Sequence, residues 1–194
     1  MKIKLTPYRI GDFITRSVVP LILEDNSMYK RVTIKTKGQG ISVRDEKAGT
    51  NIGTKNQFYV YENQFLLSKI DAQNGAFGIV PNSCHDAIVT GNFWAYDINS
   101  ELISIQFLEH LCRAEIFTSI SKKSSEGTTN RRYLREDKFL DFIVHLPEIS
   151  EQEKVIVLID EVHKAMHAVD LKLKYLSALP KSILFELFEH RNTD

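Results

Sequence analysis

Between Arg31 and Thr90 the chain carries short blocks of β-branched and aromatic residues separated by Gly, Asn and Asp. Period-two or compact apolar runs bounded by turn residues predict strands. They fall at Arg31–Ile34, Gln57–Tyr61, Phe65–Ile70, Ala76–Val80 and Ala87–Thr90. One helix interrupts the strand pattern: Ser100 can cap a segment reaching about Ser119, with Ile103, Phe107, Leu111 and Ala114 on one face. The stretch from Ser121 to Arg132 is polar, basic and almost free of apolar residues, which predicts an exposed loop.

A different regime starts after Pro147. Ser150-Glu151-Gln152-Glu153 has the spacing of a capping box, in which the serine and the last glutamate satisfy N–H groups that open a helix. Beyond it Val155, Ile159, Val162, Met166, Val169, Leu173 and Leu176 alternate at four and three residues, a heptad seam. Leu158, Ala165, Ala168 and Leu179 widen it. Pro180 is expected to stop or kink the helix, because proline lacks the N–H that the ladder needs. The helix over 150–179 would be a rod of roughly 45 Å. Leaving its apolar stripe in water costs about 25 cal/mol per Å², so the seam is expected to pack either on a second long helix or back on its own domain. The strict alternation favours a coiled-coil partner. Ile183, Leu184, Leu187 and Phe188 suggest a short terminal helix. The expected class is therefore α+β: a mixed, strand-rich domain over residues 1–149, followed over 150–194 by a long C-terminal coiled-coil helix and that short helix.

The composition is that of an ordinary globular protein. Its 194 residues are 43% hydrophobic, with only 9 Gly and 5 Pro, which excludes disordered, collagen-like and disulfide-scaffold classes. Cys84 and Cys112 form no Cys-x-x-Cys pair, so a reduced, cytoplasmic chain fits best. The apolar run Val18–Leu23 contains Pro20 and ends at Glu24, too short for a signal peptide or a membrane span. Lys+Arg 25 balance Asp+Glu 25, yet the distribution is uneven. Residues 29–70 hold eight basic and three acidic side chains, and residues 113–138 hold seven and four. Two basic regions in a neutral chain are what a nucleic-acid surface requires, although scattered surface charge has the same composition.

Enzyme motifs fail in turn. Gly49-Thr50-Asn51-Ile52-Gly53-Thr54-Lys55 is one residue short of a phosphate-binding loop. His163 and His167 share a helix face, but Lys164 stands where a zinc protease needs its glutamate and no third ligand is evident. Cys84-His85-Asp86 has triad residue types in adjacent positions, whereas a triad is assembled in space. No two prolines are adjacent, and no Gly-x-Gly follows a strand at a likely cofactor site, so the marks of a methyltransferase site are missing. The chain is read as non-catalytic, without a metal or cofactor of its own.

Taken in order, several segments resemble one half of the specificity (S) subunit of type I restriction-modification systems, a target recognition domain followed by one helical spacer. The most specific is Ile143-Val144-His145-Leu146-Pro147-Glu148-Ile149-Ser150-Glu151-Gln152, similar to the family's strand, Leu-Pro and Glu-Gln passage into the spacer. Leu5 with Tyr8–Asp12 looks like the opening segment. Leu66–Ala72 with Gly75–Pro81 is similar to the central strand pair, and Gly127-Thr128 and Arg131-Arg132 resemble the loop before the last strand. Common family members carry two recognition domains and two spacers; this chain has one of each and no internal repeat. It therefore looks like a half-subunit that works as a homodimer through Val155, Ile159, Val162, Met166, Val169, Leu173 and Leu176.

The resemblance implies sequence-specific recognition of double-stranded DNA on behalf of a separate adenine methyltransferase (M) subunit, which brings S-adenosylmethionine, with a restriction (R) subunit as a further partner and no membrane. Two readers at the ends of a rod of about 45 Å would address a bipartite palindrome whose half-site centres are roughly 13 base pairs apart. Lys35, Lys37, Arg44, Lys69, Lys122, Lys123, Arg131 and Arg132 are the candidate phosphate contacts. Gln39, Asn74 and Asn130 are the candidate base readers, since an amide pairs bidentately with adenine. Two other readings use the same residues differently: a stand-alone dimeric DNA-binding regulator, and a DNA-cutting enzyme with a metal at Asp45, Glu46 and Lys47.

Overall fold

The computed structural model describes residues 3–128 and 131–189. Contacts divide the chain into two units, Met1–Glu153 and Lys154–Asp194. The first opens with β1 (Leu5–Arg9), one turn of helix α1 (Ile10–Phe13), β2 (Ile14–Ser17) and β3 (Pro20–Leu21). The hairpin β4 (Met28–Ile34) and β5 (Ile41–Ala48) follows, then β6 (Gln57–Val60), β7 (Phe65–Ser68), β8 (Phe77–Ile79), β9 (Ala87–Thr90) and β10 (Phe93–Ile98). Helices α2 (Ile105–Arg113) and α3 (Glu115–Lys123) lead to β11 (Ser125–Thr128), β12 (Arg131–Leu134), α4 (Glu136–Leu140) and β13 (Ile143–Pro147), after which α5 (Ile149–Glu189) begins.

Two sheets carry the body: a five-stranded one of order β3-β6-β9-β4-β5 and a four-stranded one of order β2-β10-β7-β8. All pairs are antiparallel except β4 with β9, which is parallel. Strand β7 shows how the layers stack. Its residues are all buried, and because side chains alternate across a strand they serve two cores. Leu66 packs with Val32, Val60, Val89 and Ala95 between the sheets. Phe65 points the other way, into rings of Phe77, Tyr96, Phe117 and Phe139 at centroid distances of 6.0–6.5 Å. Phe117 comes from α3 and Phe139 from α4, so helices cover the outer face of the four-stranded sheet. β1 pairs with β13, from Leu5↔Pro147 to Arg9↔Ile143, which ties the two ends of the unit together.

All five strands expected from the hydrophobic pattern form at their predicted places. The single helix expected over Ser100–Ser119 is two helices. Ser104, not Ser100, caps the first, its Oγ accepting Phe107 N at 3.2 Å, while 99–103 form a turn on the Asn99 carbonyl. The break is at Ala114, whose backbone is extended. At 100° per residue, Phe107, Leu108 and Cys112 would lie roughly opposite Phe117, Ile120 and Ser121 on a straight helix; all six are buried, and the break lets both groups face inward.

The exposed loop expected at 121–132 is also corrected. Residues 121–123 finish α3, 125–128 and 131–134 pair as β11 and β12, and Ser121, Ser124 and Ser125 are buried. Small hydroxyls can be buried when hydrogen-bonded, and Ser125 Oγ donates to Ser121 O at 2.7 Å.

Helix α5 starts at Ile149, so Ser150 lies inside its first turn and does not cap it. Its opening N–H groups are met otherwise: the Glu148 carbonyl accepts Glu151 N at 2.9 Å and Gln152 N at 3.0 Å. Gln152 is fully buried. Its Nε2 donates to Leu102 O and Pro147 O, each at 2.9 Å, and its Oε1 accepts Ser104 N at 2.9 Å. One side chain thereby joins the start of α5 to the start of α2 and the end of β13. The helix is a single element of 41 residues, so Pro180 does not stop it and the separate terminal helix merges into it. A proline deletes one bond of the ladder, and the turns on either side close their own.

Candidate functional site

The hairpin β4–β5 is the longest ladder in the first unit, running from Met28↔Ala48 to Ile34↔Ile41 with an irregularity between Arg31 and Val32. Beside the irregularity Arg31 and Asp45 form a two-pronged ion pair at 2.7 and 2.6 Å, and the bound guanidinium holds the Asp45 carboxyl below its usual range. That pairing argues against a metal at Asp45, Glu46 and Lys47. Among the described residues no group of three or more His, Cys, Asp or Glu is placed to hold a metal ion.

The tip of the hairpin is gripped from two sides. Lys37 N donates to Asn74 O at 2.8 Å and Gly38 N to Gly75 O at 2.9 Å, docking the tip on the turn at 72–74. On the other side, a Cβ added to Gly38 would sit 2.4 Å from Cys112 O and 3.0 Å from Arg113 Cα. Lys37 and Gly38 both take positive φ, 59° and 63°, a conformation that a residue with a Cβ adopts at a cost of about 1–2 kcal/mol. The backbone bonds to Asn74 and Gly75 hold Lys37 there.

Two open clefts flank this grip. One, of about 640 Å³, lies between Thr36, Lys37, Gln73 and Asn74 and, on the helical side, Arg113, Glu115, Thr118 and Lys122. The other, of about 560 Å³, is bordered by Gln39, Pro81 and Glu109. Lys37 and Arg113 line both. Arg113 is shared with Glu109, 2.7 Å away. Among the described residues Lys35, Lys37 and Lys122 enter no ion pair.

The structure thus brings Lys37, Asn74 and Lys122 to one cleft and Gln39 to its neighbour, with Lys35 exposed at the base of the tip. The other predicted residues lie elsewhere. Arg44 is an exposed side chain on the edge strand β5, 3.8 Å from Asp45. The Lys69 backbone joins β7 to neighbouring segments through Asn92 O and Leu134 N. Lys123 lies 5.8 Å over the Phe142 ring, beside an apolar groove of about 530 Å³ lined by Ile116, Ile120, Ile143 and Leu146. Arg132 Nη2 donates to Ser125 O at 2.7 Å, so its guanidinium closes the β11–β12 pair. The Arg131 backbone pairs with Thr128, and Asn130 lies outside the described residues.

Much of the second basic region is neutralised locally. Arg135 pairs with Glu126 at 2.9 Å and Asp137 at 3.1 Å, and Lys138 also pairs with Glu126. The Lys138 ammonium, then Arg135, lower the pKa of the Glu126 carboxyl, and Arg135 does the same to Asp137. The residues that sequence reading missed at the cleft are Gln73, Arg113 and Thr118. Gln73 adjoins Asn74 in a turn, which was the available signal; Arg113 and Thr118 reach the cleft only because the chain bends at Ala114.

The residue types that resembled catalytic motifs are occupied structurally. Cys84 packs among Val32, Val60 and Ala87, and burial pushes its thiol pKa up; Cys112 is raised by burial as well. Lys55 Nζ donates to Gly49 O at 3.2 Å, folding the near-miss phosphate loop on itself. Along α5, Val162, Met166, Val169, Leu173 and Leu176 expose 50–60% of their surface, while Val155 and Ile159 are half-buried. No helix among the described residues is long and apolar enough to cross a membrane.

No sequence-family model matches the chain, and no curated protein matches it by sequence. Solved structures do. The HsdS subunit from Thermoanaerobacter tengcongensis superposes with a TM-score of 0.69 at 16% identity, over 85% of this chain and 43% of that one. A chain from the structural study of complex assembly and conformational transition of the type I R-M system gives 0.70 at 18% identity, over 100% and 52%. The fold is that of the type I specificity subunit. The S subunit from M. genitalium gives 0.54 at 10% identity, over 86% and 41%. The chain spans about half the length of these three chains.

Proposed function

We propose that this chain is the non-catalytic DNA-reading subunit of a type I restriction-modification complex, acting as a homodimer that directs a separate adenine methyltransferase to a bipartite palindrome. The observation that carries the proposal is the superposition of the whole chain on about half of a type I R-M chain. A chain with one reader would gain a second by pairing with another copy, and a two-fold dimer addresses inverted half-sites because each copy presents the same groups to its own groove.

Two features support the reading. The heptad seam leaves five apolar residues half exposed or more, which a second helix would cover at a gain of about 25 cal/mol per Å². The hairpin-tip clefts supply lysines without carboxylate partners for phosphates and exposed amides for bases. The methyltransferase would bring S-adenosylmethionine, and a restriction subunit would join the same assembly.

Methylome sequencing of a methylation-free host expressing this chain together with a type I methyltransferase subunit tests the proposal. The expected result is N6-methyladenine in one palindromic motif with half-site centres roughly 13 base pairs apart. An asymmetric motif would remove the homodimer. Unmethylated DNA, with the purified chain alone binding one operator-like site tightly, would replace the proposal with the stand-alone regulator.

A further inference from the structure

Resting on the proposed reading, we infer that Gln73, together with Asn74, is a specificity-determining residue whose side-chain amide reads a base edge while Lys37 and Lys122 hold the phosphates beside it. The argument begins with what the turn at 72–74 does. Ala72 is fully buried, Asn74 N is bonded to Asp71 O at 2.8 Å and Gly75 N to Ala72 O at 2.9 Å, and the Asn74 carbonyl receives Lys37 N. Gly75 has no room for a side chain, since a Cβ there would lie 2.9 Å from Lys37 N. Backbone bonds therefore fix both ends of the dipeptide, and the hairpin tip lies against it.

The two side chains are left for other work. Gln73 makes no hydrogen bond within the described residues, and Asn74 has only a long contact, 3.5 Å, to Asp71 Oδ1. Each amide offers a donor and an acceptor side by side, the pattern that matches N6 and N7 of adenine in the major groove. An amide on a fixed backbone loses less freedom on pairing than one on a mobile loop, and a reader has to be held close to its productive geometry.

The surroundings fit a duplex rather than a small molecule. The cleft is open, and Lys37 from the hairpin tip and Lys122 from α3 both line it. Arg113, shared with Glu109, adds charge at the ridge between the clefts. Glu115 places one carboxylate in the same cleft, which leaves phosphate contacts to the two lysines.

The test uses the complex of this chain with its methyltransferase, titrated against a duplex carrying the methylated motif and against duplexes with single base changes. For Gln73→Ala, Asn74→Ala and the double variant, the preference for the cognate base at one position per half-site is expected to shrink, by roughly 5- to 150-fold for each lost bidentate contact. Gln73→Glu, which keeps the shape and loses the donor, is expected to lose the same preference. Lys37→Ala and Lys122→Ala should instead weaken cognate and altered duplexes alike and reduce the salt slope by about one each. Thermal unfolding of every variant confirms that it is folded. If the wild-type complex discriminates bases and the Gln73 and Asn74 variants discriminate equally well, the inference falls and the proposed function stands. If the wild-type complex shows no base preference, both fall.

Discussion

Gln152 illustrates how much a single buried amide can decide. Replacing it with Ala leaves Leu102 O, Pro147 O and Ser104 N, all of them now bonded to it, without partners in a dry site. Each unsatisfied buried group costs about 1–3 kcal/mol, so Gln152→Ala is expected to lower the unfolding free energy by about 3 kcal/mol or more, read as a shift of the urea midpoint at unchanged slope. Gln152→Glu should be no remedy, because it keeps the acceptor for Ser104 N and turns the donor toward two carbonyls into a second acceptor. The position was visible in the sequence only as part of a Glu-Gln pair before a helix, and the capping logic of Ser150 and Glu153 drew attention away from it. Hydrogen-bond partners at sequence separations of about fifty residues leave no trace in local pattern. Arg132 teaches the reverse lesson. As one of two adjacent arginines it reads as a phosphate contact, yet the Ser125 carbonyl occupies its guanidinium.

At the scale of elements, periodicity was legible where one force acts alone. The five predicted strands follow from apolar spacing, since burial sets it. The elements that escaped are those in which another term intervenes. β5 carries Arg44, Asp45, Glu46 and Lys47 in succession because it is the edge of its sheet, where charge discourages further pairing. β11 opens on Ser125, a buried serine that reads as solvent-loving. The break between α2 and α3 arises from two buried faces that no straight helix can serve. In α5 the exposure of Val162 and Val169, 50% and 55%, supports the proposed partner helix. Val162→Lys with Val169→Lys would set two charges in each copy's seam, where desolvation is costly. Sedimentation of the double variant is expected to give monomers with unchanged helical circular dichroism; a persisting dimer would place the interface on another surface.

For the whole molecule, the proposed dimer would couple the two halves of a DNA site. The chain is neutral overall, with 25 basic and 25 acidic residues, so long-range attraction would add little, and in the proposed dimer affinity would come from the local lysines and from having two readers joined. Once one reader has engaged its half-site, the second meets the other at an effective concentration in the millimolar range, an advantage of about 10²- to 10⁴-fold that needs no new contact. The methyltransferase complex is accordingly expected to bind a full palindrome about 10²- to 10⁴-fold more tightly than a duplex in which one half-site is scrambled, at a single fixed salt concentration. The advantage should vanish when the spacing is changed by half a helical turn, because the second groove then faces away. In the Val162→Lys, Val169→Lys variant the full and scrambled duplexes should bind equally, since each copy reads alone. Anisotropy titrations of the three duplexes against the two proteins separate the reader from the joint: equal binding by the wild-type complex to full and scrambled sites would show that this fold reads DNA without pairing.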